Sequence, residues 1–158
     1  MYNPFLISNY FITKSLEDSI EISPMKLNKL VYIAHGWYLA LENQALIDQN
    51  PEAWRYGPVI PSIYHQYKHL RNNPVKNPVA VSGQLKPATT VFLNRIWEVY
   101  KDFSAIQLST KTHQVDTPWH NTWNSVINAE YMSLQIPDMQ IKNHYLAKVN
   151  ANKAGSEE

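Results

Sequence analysis

The chain has 158 residues, of which 44% are hydrophobic and 17% charged; this is the size and composition of one folded domain and excludes global disorder. Its formal net charge of +1 excludes the strong positive field of a dedicated nucleic-acid binder, and the absence of Cys excludes disulfides, thiolate metal sites and cysteine nucleophiles. No apolar run approaches the roughly 20 residues of a membrane span, and the N-terminus lacks the basic region and cleavage site of a signal peptide, so we expect a cytoplasmic protein without a membrane partner.

Four places carry the signals that begin a helix. A proline follows each of Asn3, Ser23 and Thr117, so that a side chain able to cap a helix is placed just before a proline at the first helical position. Ser104 with Gln107 three residues later has the spacing of a capping box.

Apolar residues at helical spacing follow these signals. The clearest stripe, after Pro24, contains Leu27, Leu30, Val31, Ala34, Tyr38 and Leu41. The opposite flank of this segment is also apolar, so we expect a central, buried helix. Further helices are predicted after Pro4, from Pro58 to Leu70, between Pro87 and Phe103, and from Pro137 to about Val149.

Extended structure is predicted only in short pieces. Residues 45–47 and Trp54 flank a proline-interrupted turn and are expected to pair, and residues 79–81 form a second short extended segment. Residues 71–89 are rich in Asn, Pro, Ser and Gly, which predicts a long loop. The sequence therefore predicts a mostly α, compact single-domain helical bundle of about six helices over residues 1–150, followed by a flexible C-terminal tail at 151–158.

Two groups of polar residues raise the possibility of catalysis. His65 and His69 are four residues apart on a predicted helix and could share a metal ion in a metal-dependent hydrolase, with His35 or His113 as a third ligand. The interpretation we favour places both histidines on the solvated outer face of that helix.

The second group comprises His113, Asp116 and His120, which could form an acid–base set. The interpretation we favour is structural: one helix ends at Thr112 and His113, and Asp116 or Thr117 caps the next helix.

A basic cluster of Lys68, His69, Arg71 and Lys76 would suit a small autoregulatory DNA-binding protein. No known DNA-reading motif surrounds these residues, and no basic stripe extends the cluster. We therefore expect a solvated surface and no nucleic-acid partner.

The segment from residue 52 to 59 combines two aromatic residues, an arginine and a Gly-Pro pair. We expect Trp54 to be buried, Arg55 and Tyr56 to project into solvent, and Gly57 to adopt a backbone conformation that favours glycine, with Pro58 beginning the next helix. Trp, Tyr and Arg are the residue types enriched at binding hot spots.

Read with its neighbours, this segment resembles the Panacea antitoxin domain family, the SocA/GepA-like and phage-associated proteins. The resemblance covers roughly residues 3–149. It is carried by residues 25–32, 35–40, 53–59, 63–64, 108–109, 112–113, 118–119, 136 and 141–143. Asn28 stands where the family more often has Gln, and Asp116-Thr117 precedes Pro118 where an acidic residue and Gly are common.

The resemblance implies a binding protein that uses no cofactor or metal. Such a protein would neutralise a cognate toxin encoded by an adjacent gene through direct contact, and one branch of the family also delivers its toxin to an ATP-dependent protease. The candidate partner-binding residues are Arg55, Tyr56, Gly57, Pro58 and Tyr64. The remaining motif residues are expected to have structural roles, in the core or in the turns near residues 52–59 and 112–119. They are Lys26, Leu27, Leu30, Tyr32, Trp54, Thr112, His113, Pro118 and Trp119.

Overall fold

A computed structural model describes residues 1–127 and 134–155 of the chain. The described residues form seven α-helices, α1 (Pro4–Glu17), α2 (Pro24–Glu42), α3 (Pro61–Tyr67), α4 (Pro87–Tyr100), α5 (Ala105–Thr112), α6 (Pro118–Ile127) and α7 (Asp138–Ala154). A 3-10 turn at Lys68–Leu70 follows α3, and the two short strands are β1 (Glu52–Trp54) and β2 (Gly57–Val59). The predicted mostly α single-domain fold is confirmed.

The helices begin where the sequence signals place them. The side chain of Asn3 accepts the N–H of Phe5, and the side chain of Ser23 accepts the N–H of Lys26. Ser104 and Gln107 form a complete capping box at the start of α5. Each of these bonds satisfies a backbone donor that the first turn of a helix leaves free.

Helix α2 lies at the centre of the fold and contacts α1, α3, α4, α5, α7 and β2. Leu27, Leu30, Val31 and Ala34 are fully buried in its middle. Leu41, which was expected in the same stripe, is 55% exposed, because in the last turn of α2 the residue that faces the core is Leu39.

Helix α7 packs closely across α2. A Cβ atom at Gly36 would lie only 2.1 Å from the ring of Tyr145, so glycine is what allows the two helices to approach. At the N-terminal end of α7, Asp138 lies 2.9 Å from Nε2 of the buried His35.

The extended segments differ from the prediction. Residues 45–47 do not pair with Trp54: the N–H of Tyr2 donates to Leu46, and Tyr2 and Ile47 form a parallel bridge. The segment 52–59 is instead a β-hairpin, in which β1 pairs antiparallel with β2.

Pro58 lies within β2, and helix α3 begins only at Pro61, not at Pro58 as the sequence indicated. Pro58 is opposite Ala53, whose N–H points away from β2 and donates to the carbonyl of Leu134. Pro58 therefore occupies a non-hydrogen-bonded position of the ladder, where its missing N–H costs nothing.

Hydrogen bonds fix the long loop against the helices, among them one from the hydroxyl of Tyr67 on α3 to the carbonyl of Asn77. The N–H of the buried Val75 donates to the carbonyl of Ile22. The amide group of Asn9 accepts from the N–H of Val79 at 3.0 Å and donates to its carbonyl at 2.7 Å. Residues 79–81 therefore form no strand, because the backbone of Val79 pairs with the side chain of Asn9. The loop ends at α4, which begins at Pro87.

At the C-terminal end, α7 continues through Ala154, four residues into the segment predicted as a tail. Residues 156–158 lie outside the described part of the chain. None of the described helices is long and apolar enough to span a membrane.

Candidate functional site

The two residues at the tip of the hairpin project from the fold. Arg55 and Tyr56 connect β1 to β2, and both are exposed, Tyr56 to 67%. The guanidinium of Arg55 lies 5.4 Å from the centre of the Tyr56 ring. Gly57 follows with a φ of 113°, a conformation that favours glycine, and this lets the chain reverse within two residues.

Three hairpin carbonyls accept hydrogen bonds from side chains of three different helices. The indole N–H of Trp119 on α6 donates to the carbonyl of Trp54 at 2.6 Å. The hydroxyl of Ser109 on α5 donates to the backbone carbonyl of Tyr56 at 3.0 Å, and the ammonium of Lys29 on α2 donates to the carbonyl of Pro58 at 2.6 Å. These bonds fix the hairpin to the helices on either side of its exposed tip.

Asn28 extends this attachment to the residue after β2. Its side chain accepts the N–H of Ile60 at 2.8 Å and donates to the Ile60 carbonyl at 3.1 Å, and both residues are buried. The amide of Asn28 thus takes the place of a neighbouring strand at this residue. In the sequence, Asn28 stands out only as a departure from the family pattern, and its role at Ile60 is visible only in the structure.

Trp54 is half-buried, not buried as the sequence indicated. The fully buried residue of β1 is Ala53, whereas the Trp54 ring lies edge-on to Tyr64 of α3, with the ring centres 4.9 Å apart. The indole N–H of Trp54 donates to the carboxylate of Glu52. Tyr64 is itself 41% exposed, so the two rings form a surface beside the hairpin tip.

The motif residues 112–113 and 118–119 lie at the connection between α5 and α6, beneath the hairpin. Thr112 is buried and donates to carbonyls of its own helix, and His113 follows as the residue that ends α5. The His113 ring lies edge-on to Trp119 with the ring centres 5.3 Å apart. Pro118 is buried at the start of α6, and the hydroxyl of Thr117 accepts the N–H of His120, as expected for a cap.

This arrangement does not assemble the acid–base set considered from the sequence. Asp116 is exposed in the connection between α5 and α6, with a left-handed φ of 65°. The Nδ1 atom of His113 lies 3.3 Å from the Ser109 hydroxyl, and Nε2 of His120 lies 3.1 Å from the Asn124 amide.

The motif residues of α2 lie in the core. Leu27, Leu30 and Tyr32 are at most 1% exposed. Lys26 is also buried, and its ammonium donates to the carbonyl of Lys101, which ends α4. Burial lowers the pKa of Lys26.

A groove of about 300 Å³ opens beside the hairpin. It is lined by Pro24, Met25, Asn28, Lys29, Trp54, Tyr56, Val59, Tyr64, Lys68, Arg71 and Asn72. Within the described part of the chain, the charged residues that line it are Lys29, Lys68 and Arg71, which are all basic. Lys29 and Asn28 are its least exposed members, and burial lowers the pKa of Lys29 to about 7.

The structure does not bring together the residues of the predicted histidine metal site or of the basic cluster. His65 lies on α3 and His69 in the 3-10 turn, and both are exposed. Among residues 1–127 and 134–155, no three His, Asp or Glu side chains gather in a way that could hold a metal ion. Lys68 and Arg71 line the groove, whereas His69 and Lys76 line a neighbouring depression.

Comparison with known proteins identifies the family. The sequence profile described as "Antitoxin SocA-like, Panacea domain" matches residues 27–120, more than half of the chain. The chain belongs to the SocA-like Panacea family. It is also similar to the Antitoxin SocA of Caulobacter vibrioides, at 27% identity over 150 residues, an alignment that covers 88% of this chain and 80% of that protein. No solved structure matches the chain.

The matched range of the Panacea domain includes the four side chains described above that bond to the hairpin or to Ile60 after it. These are Asn28, Lys29, Ser109 and Trp119, which come from three helices. A sequence signal for two of them was present: Asn28 and Lys29 are polar residues in a largely apolar, central helix, where a buried polar group needs a partner.

Proposed function

We propose that this Panacea protein is an antitoxin that neutralises the product of an adjacent gene by direct protein–protein contact. The contact face includes the exposed side chains of Arg55, Tyr56 and Tyr64. Gly57 and Pro58, which the sequence indicated as contact residues, are buried and instead hold the tip in place. The observation that carries the proposal is the hairpin, whose exposed tip is fixed by side chains from three helices. The proposal is further supported by the family and by the name of the Caulobacter relative, an antitoxin.

The physical argument concerns the cost of ordering a binding loop. A flexible loop loses conformational entropy when a partner fixes it, and this loss is subtracted from the affinity. Here the carbonyls of Trp54, Tyr56 and Pro58 are already bonded, so that the backbone at Arg55 and Tyr56 is held in place before a partner binds. Tyr and Arg combine apolar area with hydrogen-bonding capacity, which is why they dominate binding hot spots.

The proposed role requires no catalytic residue, cofactor or metal. Delivery of the bound toxin to an ATP-dependent protease is a second consequence of the same contact. Direct inhibition leaves the amount of toxin unchanged when both proteins are present, whereas delivery lowers it in cells that contain the protease.

The test is to express the neighbouring gene in a bacterial host, alone and together with this chain. We expect growth to stop with the neighbouring gene alone and to recover on co-expression, and we expect the two proteins to purify as a complex. A neighbouring gene that is harmless, or whose toxicity this chain does not relieve, would contradict the proposal. Immunoblots of the toxin during recovery separate inhibition from proteolysis.

A further inference from the structure

We propose that the groove beside the hairpin binds a segment of the partner protein in which a carboxylate side chain lies next to an apolar one. This inference rests on the proposed function, because the partner meant is the toxin. It adds the chemistry of the segment that the antitoxin recognises.

The charge of the groove is one-sided. Lys29, Lys68 and Arg71 line it, and no Asp or Glu among residues 1–127 and 134–155 does. Arg55 adds a fourth cation at the adjoining hairpin tip. A segment that carries a carboxylate complements this charge, while a basic segment is repelled.

Lys29 gives the groove a specific site for that carboxylate. The side chain is 3% exposed, and within the described residues its ammonium donates one hydrogen bond, to Pro58. An ammonium group has three N–H donors, so further donors can serve a ligand. Among the described residues, the titratable and charged side chains that line the groove with Lys29 are Tyr56 of the hairpin, Tyr64 of α3, and Lys68 and Arg71 of the turn after α3. From α5, His113 approaches Gly57 next to the Lys29 ammonium, and none of these groups is a carboxylate.

A carboxylate at this position would restore the charge that burial opposes. Burial lowers the pKa of Lys29 to about 7, so at a slightly alkaline pH the amine of the free protein is largely neutral. A negative group beside it favours the ammonium form. Binding therefore takes up a proton above neutral pH, which distinguishes a carboxylate at Lys29 from one that meets only the exposed cations.

The apolar half of the recognition element is aromatic. Trp54, Tyr56 and Tyr64 line the groove together with Met25, and of these Met25 and Tyr64 are each 41% exposed. Such a surface packs against an apolar side chain of a peptide. A nucleic acid is a poorer match, because its backbone requires a track of cations, and the whole chain has a net charge of only +1.

The experiment uses the full-length chain and the purified product of the adjacent gene. Binding is measured by isothermal titration calorimetry for wild type, for Lys68→Glu/Arg71→Glu in the groove, and for Arg95→Glu/Lys153→Glu as a control. The control has the same change of charge at two exposed residues outside the groove. We expect the groove variant to bind about tenfold or more weakly and the control to bind like wild type.

Two further measurements address the carboxylate. Overlapping peptides of the toxin on an array, probed with the labelled chain, should bind where Asp or Glu lies beside an apolar residue, and the groove variant should lose these signals. Calorimetry at about pH 8 in buffers of different ionisation heat should show proton uptake by wild type and none by Lys29→Met.

The outcomes separate this inference from the proposed function. Full rescue and full binding by Lys68→Glu/Arg71→Glu would overturn the groove and leave the antitoxin role intact. The claim that the bound segment is acidic would be overturned by any of three results. These are bound peptides without a carboxylate, an absence of bound peptides, and binding without proton uptake. Competition for the groove by an oligonucleotide would also overturn it, while failure of wild type to rescue would contradict the proposed function itself.

Discussion

The ammonium group of Lys29 donates a hydrogen bond to the carbonyl oxygen of Pro58 across 2.6 Å, and both residues are buried. This bond joins the central helix to the second strand of the hairpin. A Cβ atom at Gly57 would lie 3.0 Å from the same nitrogen, so the lysine also restricts the residue that precedes Pro58. Because this amine is buried, its protonation affects the free energy of unfolding.

The first prediction concerns the pH dependence of folding. The pKa of Lys29 is lowered to about 7 in the folded chain, below its usual value of about 10.5. Between these two values the unfolded chain binds a proton that the folded chain has released, so the free energy of unfolding rises with pH from about 7 to about 10. Lys29→Met removes this contribution, and its urea denaturation profile should be flatter than that of wild type over this range.

The matched control for Lys29 is Lys153→Met, at an exposed residue of α7. Its profile should run parallel to that of wild type. Lys26 and Lys148 also have lowered pKa values, mainly because of burial. Both therefore raise the free energy of unfolding with pH in wild type, in Lys29→Met and in Lys153→Met alike. Parallel profiles for wild type and Lys29→Met would show that Lys29 keeps its proton in the folded state.

The second prediction concerns the amide of Asn28. Asn28→Ala leaves the N–H of the buried Ile60 without its partner, at a cost of about 1–3 kcal/mol. It also removes one of two hydrogen bonds at the Ile60 carbonyl, which still accepts the N–H of Tyr64. Urea denaturation should show this loss, whereas Asn121→Ala, at an exposed position of α6, should change the free energy of unfolding by about 0.5 kcal/mol or less. Equal stability of the two variants would contradict the role assigned to Asn28.

The third prediction concerns the crossing of α2 and α7. In Gly36→Ala the added methyl group meets the ring of the buried Tyr145, and the overpacking should cost about 1–3 kcal/mol despite the better helix propensity of alanine. Tyr145→Leu removes the ring, so Gly36→Ala should cost less in that background than in wild type. Additive effects in this double-mutant cycle would mean that the two residues do not contact each other.

The fourth prediction separates binding from folding at the hairpin tip. Arg55→Ala/Tyr56→Ala changes two exposed side chains and should leave the free energy of unfolding within about 1 kcal/mol of wild type. It should abolish rescue from the toxin, because the rigid tip loses its side chains. Arg95→Ala/Val99→Ala changes two exposed residues of α4 and should rescue fully. A stable tip variant that still neutralises the toxin would place the contact face elsewhere, with the loop at residues 71–86 as the next candidate.

Local signals were sufficient to predict most of the helices. Asn3, Ser23 and Ser104 cap helices because the acceptor and the N–H it accepts are close in sequence, so tertiary structure is not needed to form the bond. The central position of α2 followed from apolar residues on nearly all of its faces, since such a helix is stable only when surrounded.

Strand pairing and the exposure of single residues were not predictable in this way. Residues 45–47 pair with Tyr2. Leu30 and Leu41 belong to one apolar stripe in the sequence, but Leu30 is fully buried and Leu41 is 55% exposed. Trp54 was expected in the core, but its small neighbour Ala53 occupies that position. Each of these outcomes depends on which distant element packs beside the residue, and periodicity along the chain contains no information about that.

The sequence by itself determined the family, the mostly α fold and the residues of the projecting turn, because motifs and caps are properties of neighbouring residues. Only the tertiary structure decided that the turn is a hairpin whose carbonyls are bonded by Lys29, Ser109 and Trp119, and that Lys68 and Arg71 share a groove with Trp54 and Tyr64. These groups are brought together by the packing of α2, α3, α5 and α6 around the hairpin. The physical reason is that a hydrogen bond between distant residues forms only where the packed core has already fixed both partners.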